Sequence, residues 1–398
     1  MIITDIVEVL YAPHKVFKRV IQNPKYLGAV IVLVLFVVAQ TAFYYSYYLK
    51  DYREQTFPAG DQFGTLTQNA TLWSTSSGAV ISYNYGDLIN NTFYGNSSLQ
   101  FALSNSSEIF IELGDFQDSV NCDPTGFQNM SMRIKIVEPQ IAPEKATLSL
   151  YSLNASNYFQ YDLTQDLSKS SVSVWNNLTV PVGSGNWLSN GNPDWQNITG
   201  LRLDLAFSTN SSISVRIQGV FFRGIYMTPI EVDSTGFLIT ILQWVFMQFF
   251  FEWVILTALL YIMIKVFKGT VTWKPVFAAV GLALITTVIQ TLIAIAATTT
   301  LPSLYHPIEF LANVSGEAQV INNAIAAEAE TFSLLFAVFQ IATYVWIVTL
   351  GAIITRAITA PTGEEPAAVP QFGWGKSFLV SGASLFLTII ILGFLLGI

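Results

Sequence analysis

Five apolar runs, each about as long as a bilayer is thick, set the terms for this chain. They lie at residues 27–48, 237–264, 276–298, 332–355 and 378–396, and about 20 apolar residues carry a helix across the hydrocarbon core. Backbone in hydrocarbon has only itself to bond, so each run is committed to helix. Between the first and second runs lies a polar stretch, residues 50–232. The chain therefore reads as a five-span α-helical bundle with a large domain spliced in after its first span. Composition agrees, since 52% of residues are hydrophobic and only 11% charged, far from an ordinary soluble domain.

Lys15, Lys18, Arg19 and Lys25 precede the first span, Lys265, Lys268 and Lys274 separate the second from the third, and Arg356 and Lys376 bracket the loop between the last two. The 299–331 loop has no Lys or Arg and carries Glu309, Glu317, Glu328 and Glu330. That asymmetry puts the N-terminus inside and the C-terminus outside. Asn-x-Ser/Thr sequons fall only in the segments so placed outside, at Asn69, Asn90, Asn96, Asn105, Asn129, Asn154, Asn177, Asn197, Asn210 and Asn313. Such acceptors mark outward-facing surface. The first span has a secretory signal's basic-then-apolar order. However, it runs into Phe43, Tyr44, Tyr45, Tyr47 and Tyr48 without a small-x-small cleavage site, and is read as an uncleaved anchor. Cys122 is the one cysteine, so no intrachain disulfide staples the outer domain.

By segment, residues 1–25 form a cytosolic amphipathic region, 26–49 the first span, 50–232 an extracytoplasmic glycosylated β-sandwich, and 233–398 spans two to five. Ile2, Ile6, Val9 and Leu10, then Val16, Phe17, Val20 and Ile21, recur at helical spacing. Two short helices are expected, lying on the inner leaflet through Lys15, Lys18 and Arg19 or packing against the spans. From about residue 57 to 223 the period changes to two. Ile109, Ile111 and Leu113 alternate with polar residues, as do Met130, Met132, Ile134 and Ile136, then Leu148 and Leu150, Leu178 and Val180, Leu201 to Phe207, and Ile213 to Ile217. Many short half-buried strands without interleaved helices imply an all-β antiparallel sandwich, jelly-roll-like.

Two stretches resemble known families. Trp175-Asn-Asn-Leu-Thr-Val-Pro-Val-Gly183, Trp187, and Pro193-Asp194-Trp195-Gln-Asn-Ile-Thr-Gly-Leu201 resemble the last third of carbohydrate-binding-module and galactose-binding-like jelly rolls. Where such domains often close the final strand with an acidic residue, this chain has Gln218, which argues against a structural calcium. Ala258-Leu-Leu-Tyr-Ile-Met-Ile-Lys-Val-Phe-Lys-Gly269, Trp273-Lys-Pro275 and Gly281 resemble the second-span exit of the Yip (Ypt/Rab-interacting protein) domain family. Tyr11-Ala-Pro13 to Lys25, Tyr344-Val-Trp346 to Arg356, and Trp374-Gly-Lys376 resemble it too. That resemblance implies a five-span protein with a cytosolic N-terminus, a family tied in eukaryotes to small GTPases and vesicle traffic. This chain lacks the long cytosolic N-terminal region and carries the insert.

Signatures of catalysis are sparse. No Gly-rich phosphate loop, nucleophile elbow or Cys/His cluster occurs, and His14 and His306 fall on opposite sides of the membrane. Asp115 with Asp118, or Glu108 with Glu112, would supply paired carboxylates, but spacing alone does not place them across a sugar. No enzyme activity, cofactor or metal is expected. Trp187, Trp195 and Tyr226, or Trp73, Tyr83 and Tyr85, would build an aromatic sugar face with Asp194 as polar partner. The favoured reading is that these large aromatics fill the sandwich core or its ends, with Asp194 shaping the 192–194 turn.

Glu252 is the one charge deep inside a span, and a charge at the bilayer centre costs at least ~2.5 kcal/mol. It reads as an ion or proton site with Gln248, and with Gln290 or Gln340. Alternatively, residues 236–267 would make about 48 Å of helix, long enough to bring Glu252 near the headgroups, or its carboxyl stays protonated within the bundle.

The expectation is a non-enzymatic multi-pass cell-membrane protein whose extracellular β-sandwich binds surface polysaccharide, glycoprotein or a partner subunit. Alternatives are a transporter or channel-type bundle using Glu252 and a structural subunit of a larger membrane complex. Membrane lipids are partners, other membrane subunits possible ones, and nucleic acid none. Heavy sequon use without disulfides suits an archaeal membrane, with a eukaryotic secretory membrane as the alternative.

Overall fold

A computed structural model describes residues 2–60, 62–89, 94–183, 185–360 and 372–397. The chain forms two compact units, Met1–Asp51 with Thr228–Leu304 and Ala326–Ile398, and Tyr52–Met227 with Tyr305–Ile325.

The first unit holds five helices long and apolar enough to cross a membrane: span 1 (Leu27–Tyr48), span 2 (Ser234–Val266), span 3 (Trp273–Thr298), span 4 (Glu330–Ile358) and span 5 (Trp374–Leu396). This is a multi-pass membrane protein. Span 2 starts earlier than its apolar run because Asp233 accepts the Gly236 N–H at 2.9 Å and caps it. Span 3 is broken at Leu284, where Thr286 and Thr287 turn their hydroxyls onto the carbonyls of Ala283 and Leu284. Small residues set the helix contacts. A Cβ on Gly281 would come within 2.4 Å of the Ala29 Cβ and 2.6 Å of the Trp253 ring, so spans 1, 2 and 3 meet where only glycine fits. The amphipathic helices Ile2–Tyr11 and Pro13–Gln22 bury Ile6, Val9, Val16, Phe17 and Val20 in the same core as the spans. Arg19 is used within this pair, on Asp5 and Glu8, while Lys15 and Lys18 stay exposed.

The second unit is the sandwich. Its strands are β1 (Asp51–Phe57), β2 (Trp73–Thr75), β3 (Val80–Asn84), β4 (Ser98–Leu113), β5 (Asn129–Glu138), β6 (Lys145–Ser152), β7 (Asn154–Asp162), β8 (Asn176–Pro181), β9 (Leu188–Asn190), β10 (Ile198–Met227) and β11 (Leu304–His306). Ladders among β1 to β10 are antiparallel. β4 and β10 are long enough to serve both layers. Their halves 108–113 and 201–206 pair in one layer, ordered β2-β4-β10-β6-β7-β9, and their halves 99–103 and 213–217 pair in the other, with β3, β5 and β8. Register shifts between Ala206 and Ile213 mark the bend. Ile109, Ile111, Leu148, Leu150, Leu203 and Leu205 from one layer meet Leu99, Phe101, Met132, Ile134, Leu178, Val215 and Ile217 from the other in one core. Cys122 sits in that core, fully buried, and burial pushes its thiol up to about 12.

The two outer faces of the sandwich differ. Around Arg133, Lys135, Arg216 and Gln218, the β5–β10 face is covered by residues 87–89 and 94, and by the 305–325 segment. Gln218 accepts the Ile89 N–H at 2.6 Å and donates to the Tyr94 carbonyl at 3.0 Å. A bulge at Gly219, φ +67°, turns Phe221 outward to pack with Tyr94, Ile308, Ala312 and Val314. A Cβ on Gly219 would strike Tyr94 at 2.3 Å. An ionic chain fastens the 305–325 segment. Arg223 bonds Glu54 at 2.7 and 2.9 Å and Glu309 at 2.9 Å, and Arg133 grips both oxygens of Glu317 at 2.9 Å. Asp87 binds Lys135 at 2.8 Å, Trp175 at 3.1 Å, and Arg216.

Arg223, Glu54 and Glu309 side chains are only 11%, 3% and 10% exposed, so Arg223→Met strands two buried carboxylates. The expected cost is about 3–5 kcal/mol, read as a lower urea midpoint for loss of β-structure in the detergent-solubilised full chain; an unchanged midpoint would deny the cluster a stabilising role. Acid acts on the same contacts. Burial works to raise Asp87 and Glu309, but Lys135, Trp175 and Arg216 for the first, and Arg223 and Arg133 for the second, hold them below their ordinary values of 3.8 and 4.5. Carboxyls depressed on folding contribute stability that is present above those ordinary values and lost as pH falls through the folded ones. The β-unit should therefore melt at progressively lower temperature below about pH 4, a trend that Glu309→Gln should flatten.

Candidate functional site

Against that covered face stands an open one. Outward positions of β4, β10, β6 and β7 line up by register. Glu112, Arg202, Ser149 and Gln160 form one row, and Phe110, Asp204, Thr147 and Asp162 the next. Phe110, Thr147, Gln160, Arg202 and Asp204 of these rows, with Glu108 and Lys145, line a groove of about 310 Å³. Thr147 on its floor, and Ser149 beside it on β6, point away from the core yet are 9% and 5% exposed. Arg202 lies 4.1 Å above the Phe110 ring and bonds Asp204 at 2.8 Å and Glu112 at 3.5 Å. Tyr151 donates to Glu112 at 3.0 Å and sets its ring edge-on to Tyr158, centroids 6.5 Å apart. Burial, then the Glu112 carboxylate, pushes the Tyr151 phenol up to about 12, so it stays a neutral donor. Such a surface offers aromatic planes at two places, hydroxyls and amides between them, and an Arg202 already paired with Asp204 and Glu112. Four strands about 4.8 Å apart make it about 14 Å across.

Trp187, Asp194 and Trp195 lie elsewhere. Phe159 and Tyr161 point inward, flanking outward Gln160, and the tryptophans pack on that inward side at the sandwich's end. Trp195 stacks on Phe159 at 3.7 Å, Trp187 meets Trp195 at 5.5 Å and Tyr161 at 5.1 Å, and the Trp187 N–H is bonded to the Pro181 carbonyl at 2.8 Å. Asp194 accepts from the Gln196 N–H at 3.0 Å and from Asn197 Nδ2 at 2.7 Å, shaping its turn. The structure thus brings the two tryptophans together, and Tyr226 not with them: it meets Tyr305 at the far end of β10. The other aromatic set divides as well, with Trp73 buried against Phe101 and the rings of Tyr83, on strand β3, and Tyr85, just after it, exposed.

Glu252 and Gln248 line a cavity of about 180 Å³ to which all five spans contribute, among them Gln40, Gln290, Gln340 and Thr388. Glu252 falls near the midpoint of span 2, and Phe36, Thr287, Tyr344 and Leu385 of the same cavity fall near the midpoints of the other four. Among the described residues no cluster of His, Cys, Asp and Glu has the makings of a metal site.

Of the sequon asparagines, Asn90 lies outside the described residues. Asn96, Asn105, Asn154, Asn177, Asn210 and Asn313 are exposed and Asn69, Asn129 and Asn197 half-buried. All nine belong to the β-unit.

No family model matches the chain, and no curated protein matches it. Among solved structures, a family 11 carbohydrate-binding module from Clostridium thermocellum, in complex with a beta-1,3-1,4-mixed-linked tetrasaccharide, aligns at 14% identity over 39% of this chain and 90% of its own, TM-score 0.27. A second family 11 module, from a cellulosomal cellulase of that organism, aligns at 15% identity over 40% and 91%, TM-score 0.27. A beta-1,2-glucanase from Parabacteroides distasonis aligns at 12% identity over 37% and 22%, TM-score 0.28. Alignments at this identity and TM-score transfer no ligand.

Because Trp195 is stacked into the end of the core, Trp195→Ala should cost about 3 kcal/mol of stability, measured as a lower melting temperature of the full chain. A variant that melts like the parent would free Trp195 from a packing role and return it to consideration as a ligand platform.

Proposed function

We propose that this protein is a membrane-anchored, non-enzymatic binder of extended carbohydrate, and that the groove over β4, β10, β6 and β7 receives the ligand. The observation that carries the reading is the open face itself: a trough lined by Phe110, Thr147, Gln160, Arg202 and Asp204, with a buried polar floor at Thr147 and with Tyr151 and Tyr158 further along the same face. Aromatic planes cover the apolar faces of sugar rings, while the polar floor and rim, Gln160, Asp204 and Lys145 among them, meet hydroxyls. A trough that crosses four strands suits a run of sugar units better than a single one. Of the two carboxylates that line the groove, Asp204 is held by Arg202 and only Glu108 stands apart, which favours binding over hydrolysis, since sugar hydrolysis uses a pair.

The charge asymmetry and the sequons support an outward-facing β-unit on a cell surface, and the Yip-like segments support a five-span anchor with its N-terminus in the cytosol. A chain so built holds the cell's outer face to a polysaccharide or glycoprotein coat, and the archaeal reading rests on the sequon-rich, disulfide-free outer domain.

The test uses the full chain in nanodiscs against a panel of immobilised polysaccharides and native envelope glycans. Phe110→Ala and Asp204→Ala are each expected to weaken binding about tenfold, or ~1.4 kcal/mol, at unchanged melting temperature. Binding that ignores both substitutions would place the ligand elsewhere, and release of shortened oligosaccharides would make the protein an enzyme.

A further inference from the structure

Independently of that groove, the bundle holds a second site. Glu252 is the one charged side chain placed away from the ends of any span, and it faces the cavity on which five helices converge. Four of the polar groups there satisfy each other in pairs: Thr291 donates to Gln40 Oε1 at 2.7 Å, and Gln340 Nε2 donates to the Tyr344 hydroxyl at 2.9 Å. Two do not. The Gln248 Oε1, one turn before Glu252 on the same face, is buried without a hydrogen-bond partner, and among the described residues Glu252 has neither a hydrogen bond nor an ion pair. An orphaned amide oxygen and an orphaned carboxylate in a membrane interior are costly, and both are lone-pair donors aimed into one space.

We propose that this cavity binds a monovalent alkali cation, with Glu252 as the counter-charge and Gln248 as a neutral oxygen ligand. Each feature of the site bears on that choice. Its donors are oxygens, the hard ligands that suit alkali and alkaline-earth ions rather than softer metals. It carries one formal negative charge, and no Lys, Arg or His lines it, so a monovalent cation leaves the interior neutral where a divalent one leaves a net charge in hydrocarbon. Its size, about 180 Å³, admits an ion with part of its water, whereas a proton on the carboxyl needs no such room. Amide and hydroxyl oxygens from several helices can replace the rest of the hydration shell. An access direction also follows. From the mid-helix level of Phe36, Glu252 and Tyr344 the lining continues through Gln40, Gln248 and Gln340 to Phe43 and Phe336. That is the end of the bundle where span 1 finishes and spans 2 and 4 begin, the outer end on the orientation proposed above.

The experiment is a melting series on the full chain in detergent, in choline chloride exchanged stepwise for sodium or potassium chloride at constant total salt. One alkali cation, or both, is expected to raise the melting temperature by several degrees and to saturate, as a ligand bound only to the folded state must. Glu252→Gln should abolish the response, and Gln248→Ala should move its half-saturation at least tenfold higher; circular dichroism in choline checks that each variant folds. No rise beyond choline in the parent protein overturns the proposal. So does a saturable rise that both variants retain, which puts the ion elsewhere, and so does a melting temperature that answers to acid but to no cation, which makes Glu252 a protonated carboxyl.

Discussion

The pairing of β4 with β10 is the contact on which the β-unit depends. Each strand is long enough to run through both layers, and each bends at the register shifts near Asn105 and Asn210. One ladder therefore fixes the distance between layers, the direction of every inward side chain and the orientation of both outer faces. Strand alternation then forces a consequence. The same register that buries Leu201, Leu203 and Leu205 must present Arg202, Asp204 and Ala206 outward, so the floor of the groove and the floor of the core are two sides of the same backbone. A residue slip in β10 would exchange them.

The bundle meets the opposite constraint. Inside hydrocarbon every polar group needs a partner from the protein, and the spans supply most of their own: threonine hydroxyls return to carbonyls three or four residues back, at Thr287, Thr291, Thr343, Thr355 and Thr388. Gln248 and Glu252 break that economy where five helices meet, as the Thr41, Thr257 and Ser377 hydroxyls do elsewhere in the spans. The break in span 3 at Leu284 lies beside Thr287, which lines the same cavity. Non-helical backbone at membrane depth is tolerated where it borders a polar space.

Much of this was legible in the chain. The five apolar runs became five spans, and the alternation at Ile109, Ile111 and Leu113 became strand β4, because burial writes a period into sequence. Gln290 and Gln340 join Glu252 as their polarity within apolar helices implied. The groove was not legible: Phe110, Arg202, Thr147 and Gln160 sit on four strands far apart in sequence, and outward polar residues look alike whether they face bulk water or a trough. Only cross-strand register separates them. Trp187 and Trp195 carry the same side chain whether it stacks on a sugar or, as here, packs on Phe159 and each other, and sequence favours the packing reading without deciding it. The docking of residues 305–325 onto the β-unit was hidden likewise, because Glu309 and Glu317 as sequence are loop carboxylates and become structural only once Arg223 and Arg133 are brought to them.

The distribution of sequons separates the two outer faces further. Asn129 and Asn177 occupy outward positions of β5 and β8, in the layer whose face is already covered in part by the chain itself, and Asn105 and Asn210 sit at the bend. In the groove's rows, at Glu112, Arg202, Ser149 and Gln160 and at Phe110, Asp204, Thr147 and Asp162, no sequon occurs, although those strands are as polar outward as any others. A glycan on any of those positions would fill the trough. Glycans at Asn105, Asn129, Asn177 and Asn210 would leave the groove's two rows clear, while one at Asn154 would stand at the start of groove strand β7.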